Sequence, residues 1–585
     1  MLDGGGETME LLVIAAVVLL VFRGLSRRNA TADGTGIIGP VGWSADTNWR
    51  VVRPLVRADV WRVLRHPAFI AGVLLTPLML IAATESETRW REVSAGTALA
   101  LVPLGWMTII ATNLVALRPQ RTGTDELLAA LPAAQPARSS ALLATAFGPV
   151  IVAAVMAGGW LAYVGGRDEE LRGSPQLDET AAGLLIVAGS VCVGVAVARW
   201  LPNAGFGMLA AIATIVIQVR FLDVTTWPWD RTEGDPLRFL AFINDQFGVT
   251  DDFLEIRPSG WHLLYLGGLV VVMAGVALAR DGIRRPVGAV LSVGVIVAGG
   301  AGWMQTRPPS TARENEIVSY LTEPVAHQVC EQSAAVRYCA YPDFAADLPR
   351  WRTRVEATLA LLPTTAADNR IPLEVIQRPA IIVSNNDCLP RAFKDGLPPG
   401  VADRLSSADL WPADGQVHPP LEDDSFPCSG FDVKGFFLGV QTGAWATGLP
   451  PAPHDDNERC TASGQARSAV ALWAGAAASP DGARTLRRVT DEGSTGDGLL
   501  ITFAEWDNPP MWGVDYAVGD AEVALAMLEL PAAEVSSTLD RDWVRWTDPG
   551  TSTSVLAGEL GIDDGTAGAE AVPAVPAAST GESCP

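Results

Sequence analysis

Two apolar runs in AAGLLIVAGSVCVGVAVARWLPNAGFGMLAAIATIVIQV, residues 181–219, decide the fold class of this chain. Each run, 181–198 and 201–219, has about the length that an α-helix needs to cross the hydrocarbon of a bilayer. Arg199 lies between them, where a charge is expected in a short turn at the membrane surface. The stretch therefore predicts two membrane spans joined by a turn.

Similar apolar runs predict five more spans: 68–84, 95–117, 141–164, 261–279 and 286–304. A weaker run, MELLVIAAVVLLVF at 9–22, is either the apolar core of a signal sequence or a short first span. It has no basic leader and no small-residue cleavage site, and this favours a retained anchor. The mean hydropathy of +0.24 agrees with a chain of which one part lies in a lipid bilayer.

The arginines predict which loops lie inside the cell. The segment 23–67 is rich in arginine, and arginines also mark 118–140, the turn at Arg199 and 280–285, so the positive-inside rule places these on the cytoplasmic side. The acid-rich loop 167–179 and the aromatic loop 220–260 then lie outside. We expect a plasma-membrane protein with eight spans, both termini outside.

The charge balance separates two environments. The chain from Gln305 onward holds roughly 40 of the 65 acidic residues but about 19 of the 42 basic ones. The predicted fold is a multi-pass α-helical membrane protein with a C-terminal soluble α+β domain outside the cell. Its parts are an anchor and linker at 1–48, a six-span core at 49–280, a final span at 281–306, the exterior domain at 307–565, and an Ala/Pro-rich disordered tail at 566–585. A net charge of -23 argues against nucleic-acid binding.

The exterior domain mixes helical and strand periodicity. Helices are predicted at 313–328, 346–362, 465–478 and 519–538. Strands are predicted at 336–341, 372–377, 380–385, 434–440 and 498–506.

Two short helices on the cytoplasmic side flank the predicted spans 68–84 and 95–117. In 49–67, valines and leucines recur at helical spacing around Arg57, Arg62 and Arg65, as in a helix that lies at the membrane interface until Pro67 ends it. An ordinary juxtamembrane basic helix has the same pattern. In 124–132, Thr124 is the expected N-cap, and Asp125 and Glu126 favour the positive first turn. Leu127, Leu128 and Leu131 form one apolar stripe before Pro132.

This order of elements resembles the ABC-2 type permeases, over about residues 50 to 280. The residues Arg121, Gly123, Thr124, Glu126, Leu127, Leu128 and Pro132 are similar to that family's "R..GT.ELL...P" segment. Arg57, Arg62, Arg65 and Pro67 are similar to its entry helix, although Asp59 stands where glutamate is usual. The resemblance implies that 124–132 is a coupling helix seated in a groove of an ATPase subunit, and that loop 220–260 caps the transport path. VRYCAYPDF at 336–344 resembles the exterior domain of actinobacterial permeases.

The chain has no phosphate-binding loop of its own, because its two lysines, Lys394 and Lys434, stand outside any GxxxxGK[ST] motif. We therefore expect it to be a non-catalytic subunit that binds no cofactor. ATP and Mg²⁺ would be held by a separate P-loop ATPase, and a second permease copy or a paralogue would complete the path. The plain alternative for 121–132 is a membrane-surface loop, but such a loop needs neither the cap nor the proline stop.

The same sequence bears on three other functions. An ion-coupled transporter usually places charges within the bilayer, and the seven runs from 68–84 to 286–304 contain no Asp, Glu, Lys or Arg. A membrane-anchored binding or signalling protein, which moves nothing, stays open. An exterior hydrolase is the third hypothesis, with His327, His418 and His454 as the available general bases; HExxH and GxSxG motifs are absent.

Cysteine usage agrees with an exterior domain. Cys192 lies in a predicted span, whereas the other six cysteines lie after residue 305, where disulfides persist. Six cysteines allow 15 pairings. We favour Cys330 with Cys339, which flank a short turn between a predicted helix and a predicted strand.

Overall fold

The computed structural model describes residues 45–84, 90–124, 135–167, 171–222, 240–243, 259–283, 285–307, 309–367, 371–377, 404, 416–417, 433–449, 460–493, 499–500 and 514–562. The predicted anchor at 9–22 and most of loop 220–260 lie outside these ranges. The chain divides into two compact units, Met1–Arg53 and Pro54–Pro585, and the contacts given below lie within the second.

The first half of the chain is helical. Its helices are α1 Ala45–Leu64, α2 Pro67–Thr84, α3 Trp90–Ala100, α4 Val102–Ala116, α5 Arg118–Arg121, α6 Gln135–Ala144, α7 Phe147–Arg167, α8 Leu177–Trp200, α9 Ala204–Leu222, α10 Ser259–Ala279 and α11 Arg285–Gln305. Each predicted span from 68–84 to 286–304 falls on one of these helices or on a consecutive pair.

Five stretches are long and apolar enough to cross a membrane: Trp90–Ala116, Ala137–Arg167, Leu177–Trp200, Ser259–Ala279 and Arg285–Gln305. The pair α1 and α2 makes a sixth if a bent pair counts as one span. The apolar part of α9, Ala204–Gln218, is shorter. By length and composition the described chain therefore has five or six candidate spans, and the count of eight stays a prediction.

The pair α1 and α2 is broken at Arg65 and His66. The two helices, over Val52–Leu64 and Pro67–Ala82, meet at 60°. Pro67 was expected to end the first helix; in the structure it is the first residue of the next one, where its fixed φ and its missing N–H fit the first turn. The bend therefore falls where the sequence predicts a change of direction.

Helix α8 lies in the middle of this half, in contact with α3, α4, α7, α9 and α10. Small residues allow the close approach. A Cβ atom built on Gly194 of α8 would lie 2.6 Å from the carbonyl oxygen of Ile109 in α4. The buried Asn113 side chain donates to the Gly194 carbonyl at 3.5 Å, at the limit of a hydrogen bond. This crossing leaves no room for a methyl group.

Helices α10 and α11 form a second close pair, an antiparallel hairpin. A Cβ on Gly268 would lie 2.8 Å from the Ala298 Cα, and one on Gly294 would lie 2.9 Å from the Val272 nitrogen. The outward faces of the helices carry exposed apolar side chains, such as Leu78, Val155 and Ile296. Exposed apolar side chains on long apolar helices are typical of contact with lipid.

The second half mixes helices and strands. Its helices are α12 Thr311–Thr322, α13 Leu348–Leu361, α14 Val433–Thr447, α15 Ala466–Ala477, α16 Gly482–Gly493, α17 Val518–Glu529, α18 Ala532–Trp546 and α19 Thr553–Glu559. Its strands are β1 Val329–Ser333, β2 Val336–Ala340, β3 Glu374–Ile376, β4 Gln416–Val417, β5 Cys460–Thr461, β6 Leu499–Leu500 and β7 Val514–Ala517.

The strands form two small sheets with the orders β1-β2-β3-β4 and β5-β7-β6. In the first, β1 and β2 are antiparallel, and β2, β3 and β4 are parallel. One apolar core packs this sheet against α12 and α13, with Tyr338 and Trp351 in it. A second core, around Trp473 and Trp546, joins α14, α15, α17, α18 and α19. Trp445 of α14 packs against both cores.

Several sequence predictions need correction here. Residues 434–440 were predicted as a strand but belong to helix α14. The side chains that the structure describes in this stretch, 436–440, are buried, and a short buried apolar run is compatible with either structure. The predicted helix 519–538 is two helices, because Pro531 separates α17 from α18. The predicted helix 313–328 ends at Thr322 and gives way to a short 3-10 turn and then to β1.

We predict that Gly194→Ala lowers the thermal stability of the full chain in detergent, because the new methyl group would push α4 away from α8. Overpacking of this kind costs about 1–3 kcal/mol. Gly158→Ala in α7 is the matched control, since its Cβ would meet nothing within 4 Å. Equal melting temperatures for the two variants would contradict the close crossing.

Candidate coupling site

The chain leaves α4 toward the predicted coupling helix through a short helical turn. After α5, Gly123 has φ of 65°, a left-handed conformation that suits glycine. The Thr124 N–H donates to the Pro119 carbonyl at 3.0 Å, and the Thr122 and Thr124 hydroxyl oxygens lie 2.9 Å apart. These bonds end the helix before the segment that carries the leucines.

The structure describes only the first part of the predicted coupling segment. Arg121 and Gly123 are exposed, and Thr124 is half-buried. The remaining residues of that prediction lie outside the described residues: Asp125, Glu126, Leu127, Leu128, Leu131 and Pro132. The coupling helix therefore stays a prediction.

The structure brings the start of this segment close to α1. Arg62 forms an ion pair with Asp59, with a 2.6 Å distance from Nη1 to Oδ1. The Arg118 guanidinium is close enough to act electrostatically on the same carboxylate. Asp59, which stands where the ABC-2 permeases usually have glutamate, therefore lies between α1 and the start of the 121–132 segment.

The apolar face of α1 packs on the protein itself. Val63 is fully buried, and Val60 lies against Gly148 at the start of α7, where a Cβ would lie 2.7 Å from its Cγ1. Arg57, Arg62 and Arg65 are exposed. The helix is therefore amphipathic as predicted, but its valines contact other helices of this chain.

A buried aspartate ties three segments together at the same end of the helices. Asp281, in the turn between α10 and α11, accepts a 2.5 Å hydrogen bond from the Ser139 hydroxyl of α6 and forms an ion pair with Arg199 of α8. Ser139, Arg199 and Asp281 come from three of the four segments that the sequence predicts to lie on the cytoplasmic side. We call these three residues the Asp281 cluster.

A second ion pair lies at the opposite ends of these helices. Arg172, between α7 and α8, contacts Asp347 at the start of α13; its Nη2 donates to Oδ1 at 2.7 Å, and Nε donates to Oδ2. The two side chains are 5% and 4% exposed. A bidentate pair this deeply buried fixes orientation as well as distance. It joins the helical half of the chain to the half that contains the sheets.

The backbone around Arg172 joins further helix ends. The Trp90 N–H, at the start of α3, donates to the Arg172 carbonyl at 3.0 Å. The Gln176 N–H donates to the Ser94 hydroxyl at 3.1 Å. The Arg172 junction, meaning Arg172 and Asp347 with these two contacts, therefore connects α3, α8 and α13.

A buried histidine is the site residue that sequence analysis overlooked. His262 lies one residue inside the predicted span 261–279, and its Nε2 lies 3.1 Å from the Phe242 carbonyl oxygen. Its Nδ1 lies 3.3 Å from Gln305 Oε1, and Gln218 accepts a bond from the Phe242 N–H at 2.8 Å. The cluster fastens residues 240–243 to the ends of α9, α10 and α11.

Of the three histidines predicted as possible general bases, the structure describes His327. His327 Nε2 lies 3.2 Å from the Ser319 hydroxyl, which is the distance of a nucleophile from its base. Ser319, however, lies within α12, where the neighbouring N–H groups are engaged in the helix and do not form an oxyanion hole. His418 and His454 lie outside the described residues. Within the described ranges no group of three or more His, Cys, Asp or Glu side chains could hold a metal.

The structure pairs Cys330 with Cys339, the pair that the sequence favours. The physical setting differs from the one expected. The two cysteines face each other across the β1–β2 hairpin and do not flank a turn between a helix and a strand. Cys192 is a free, buried thiol in α8.

Comparisons with known protein families, with curated proteins and with solved structures find no match for this chain. The family likeness therefore depends on the short motifs named above.

We predict that Arg172→Met speeds amide hydrogen exchange at residues 336–361 of the full chain. Removing one partner leaves the Asp347 carboxylate buried without its main cation, which costs about 3–5 kcal/mol. The double variant Arg172→Met, Asp347→Leu should recover slow exchange, since neither charge remains. Arg350→Ala is the control, because Arg350 is half-exposed and 3.8 Å from Asp347. Unchanged exchange in Arg172→Met would argue against the junction.

A buried carboxyl group fastens three parts of the second core. Asp520 accepts hydrogen bonds from the Gly464 and Ala517 N–H groups, both at 3.0 Å, and from the Thr553 hydroxyl at 2.5 Å. Burial raises the pKa of Asp520 to about 6 despite these bonds. The folded protein therefore holds this proton more tightly than the unfolded chain does.

Protonation of Asp520 stabilises the folded protein at low pH. With the folded pKa above the ordinary value of 3.8, the contribution of Asp520 to stability is fully present below about pH 4 and is lost as pH rises through about 6. The change amounts to about 3 kcal/mol. We predict that protection of the α17 amides from exchange falls over this range, and that Asp520→Asn flattens the dependence. Asp540→Asn, an exposed change on α18, should leave the slope as it is; a flat profile in the unmodified protein would contradict the prediction.

Proposed function

We propose that this chain is the membrane-spanning subunit of an ATP-driven exporter, powered by a separate P-loop ATPase that docks on the 121–132 segment. One observation is the main support for the proposal: buried contacts join the loops in two groups, one at each end of the helices. The Asp281 cluster joins loops that the arginines mark as cytoplasmic, and the Arg172 junction joins loops that the charge pattern marks as exterior. The segment 121–132 begins at the same end as the Asp281 cluster.

The Asp281 cluster suggests how a movement at this segment reaches the helices. Ser139 lies in α6, which follows the coupling segment directly, and its hydroxyl is bonded to Asp281. Asp281 in turn contacts Arg199 at the end of α8, the helix in the middle of the spans. A displacement of the coupling segment is therefore carried to α8 and to the α10–α11 hairpin through buried contacts.

In this proposal the second half of the chain is an extracytoplasmic domain of a plasma-membrane protein. The bonded Cys330 and Cys339 agree with an oxidising compartment. The domain would receive, gate or hand on the cargo at the outer ends of the spans. Two copies of the chain, or this chain and a paralogue, would enclose the transport path, because six spans are only half of such an assembly in the family that it resembles.

The test is copurification with a P-loop ATPase encoded beside this gene. We expect Leu127→Asp, Leu128→Asp to abolish the complex while the chain is still expressed in the membrane, because a carboxylate at each position would have to be buried in the docking groove. Val544→Asp is the matched control, since Val544 is an exposed apolar residue on α18. Retention of the complex by the double variant would refute the coupling assignment.

The class of cargo is tested by a second measurement, the stimulation of ATP hydrolysis. In the reconstituted complex, candidate lipids, peptides and drugs are compared for their stimulation of ATP hydrolysis, with the Leu127→Asp, Leu128→Asp complex as the baseline. A protein that only binds or signals would show no ATPase partner and no stimulation. That outcome would favour the non-transport alternative.

A further inference from the structure

Helix α1 has one face that the protein leaves uncovered. From Pro54 onward, six exposed residues recur at spacings of three and four and so share one side of the helix: Pro54, Arg57, Ala58, Trp61, Arg62 and Arg65. The opposite side is filled, because Val60 and Val63 pack against α7 and the core around Leu101 and Leu104. We call the exposed side the arginine face.

The arginine face carries unbalanced positive charge. Asp59, at its edge, is paired with Arg62. Among the described residues, Arg57 and Arg65 form no ion pair. Arg65 lies over the Trp61 ring, with 4.2 Å from its Cζ to the ring centroid. The face therefore presents two guanidinium groups that have no carboxylate partner among the described residues, a third that is paired with Asp59, and a tryptophan that is 54% exposed.

We propose that the arginine face binds the headgroups of anionic phospholipids. Guanidinium groups bind phosphate through paired N–H donors. A half-exposed tryptophan among them has an apolar ring and a polar N–H, which is the combination that collects at the membrane–water interface. The chemistry of the face matches an anionic headgroup above and the start of the acyl region below.

The position of the face supports a lipid over a protein partner. Helix α2, which follows at 60°, has exposed apolar residues along its length, including Leu74 and Leu78. The acyl chains that cover these side chains would end at the N-terminus of α2, next to Arg65. The arginine face is thus continuous with the surface that the acyl chains contact. The proposal concerns lipid alone and stands whether or not an ATPase docks on 121–132.

The experiment uses the purified full chain in detergent and native mass spectrometry to count bound phosphatidylglycerol, with phosphatidylcholine as the neutral comparison. The test variant is Arg57→Gln, Arg62→Gln, Arg65→Gln. The matched control, Arg484→Gln, Arg487→Gln, Arg541→Gln, removes the same charge from exposed sites of the second half. Arg57→Lys, Arg62→Lys, Arg65→Lys keeps the charge and controls for folding.

We expect the glutamine variant to bind phosphatidylglycerol about a hundredfold more weakly, from the loss of three cations near an anionic surface. The control and the lysine variant should bind it within a few-fold of the unmodified chain, and phosphatidylcholine binding should not change. The melting temperature should rise with phosphatidylglycerol in every variant except the glutamine one.

Two results would overturn the proposal. One is phosphatidylglycerol binding in the glutamine variant equal to that of the control. The other is intact lipid binding together with loss of the ATPase complex, which would assign the face to the motor. Because the lipid measurement contains no ATPase, failure of the exporter proposal leaves it valid.

Discussion

Glycine at the helix crossings is the constraint on which this structure depends. In the first half, Gly194 lets α8 approach α4, and Gly268 and Gly294 close the α10–α11 hairpin. The same device recurs in the second half, where a Cβ on Gly439 would lie 2.8 Å from the Gly475 Cα at the contact of α14 with α15. Helices in lipid gain no hydrophobic energy by meeting each other, so close backbone contact must supply their attraction. Polar contacts are then needed only at the ends.

The polar contacts described above at the helix ends are largely buried. The Asp281 cluster and the Arg172 junction both use an arginine–aspartate pair that joins segments far apart in sequence. Such pairs add little net stability, since each charge loses its hydration, but they penalise any arrangement in which the partners separate. Packing of the helices therefore supplies most of the stability. The ion pairs determine which loops lie next to each other.

The sequence predicts the helices of the first half well because a bilayer demands long apolar runs. The ranges 181–198 and 261–279 each fall within one helix, α8 and α10, and a turn follows directly after the helix that contains Arg199. It predicts the second half less well. In 434–440 the described side chains, 436–440, are all buried, so the hydrophobic period cannot distinguish a strand from a helix, and β1 follows a helix without a strong turn signal. The Arg172–Asp347 pair, 175 residues apart in sequence, has no local pattern at all. The sequence pattern did not single out His262, because one histidine at the edge of the apolar run 261–279 barely changes the hydropathy of that run.

Among the described residues, the second half of the chain is attached to the helices at two places, and this limits how it can move. One is covalent, through the short segment between α11 and α12; the other is the buried contact of Arg172 with Asp347. A domain tethered at one point swivels freely, whereas a domain fixed at two points turns only about the line that joins them. Any sliding of α11 relative to α7 and α8 must then become a rocking of the whole domain.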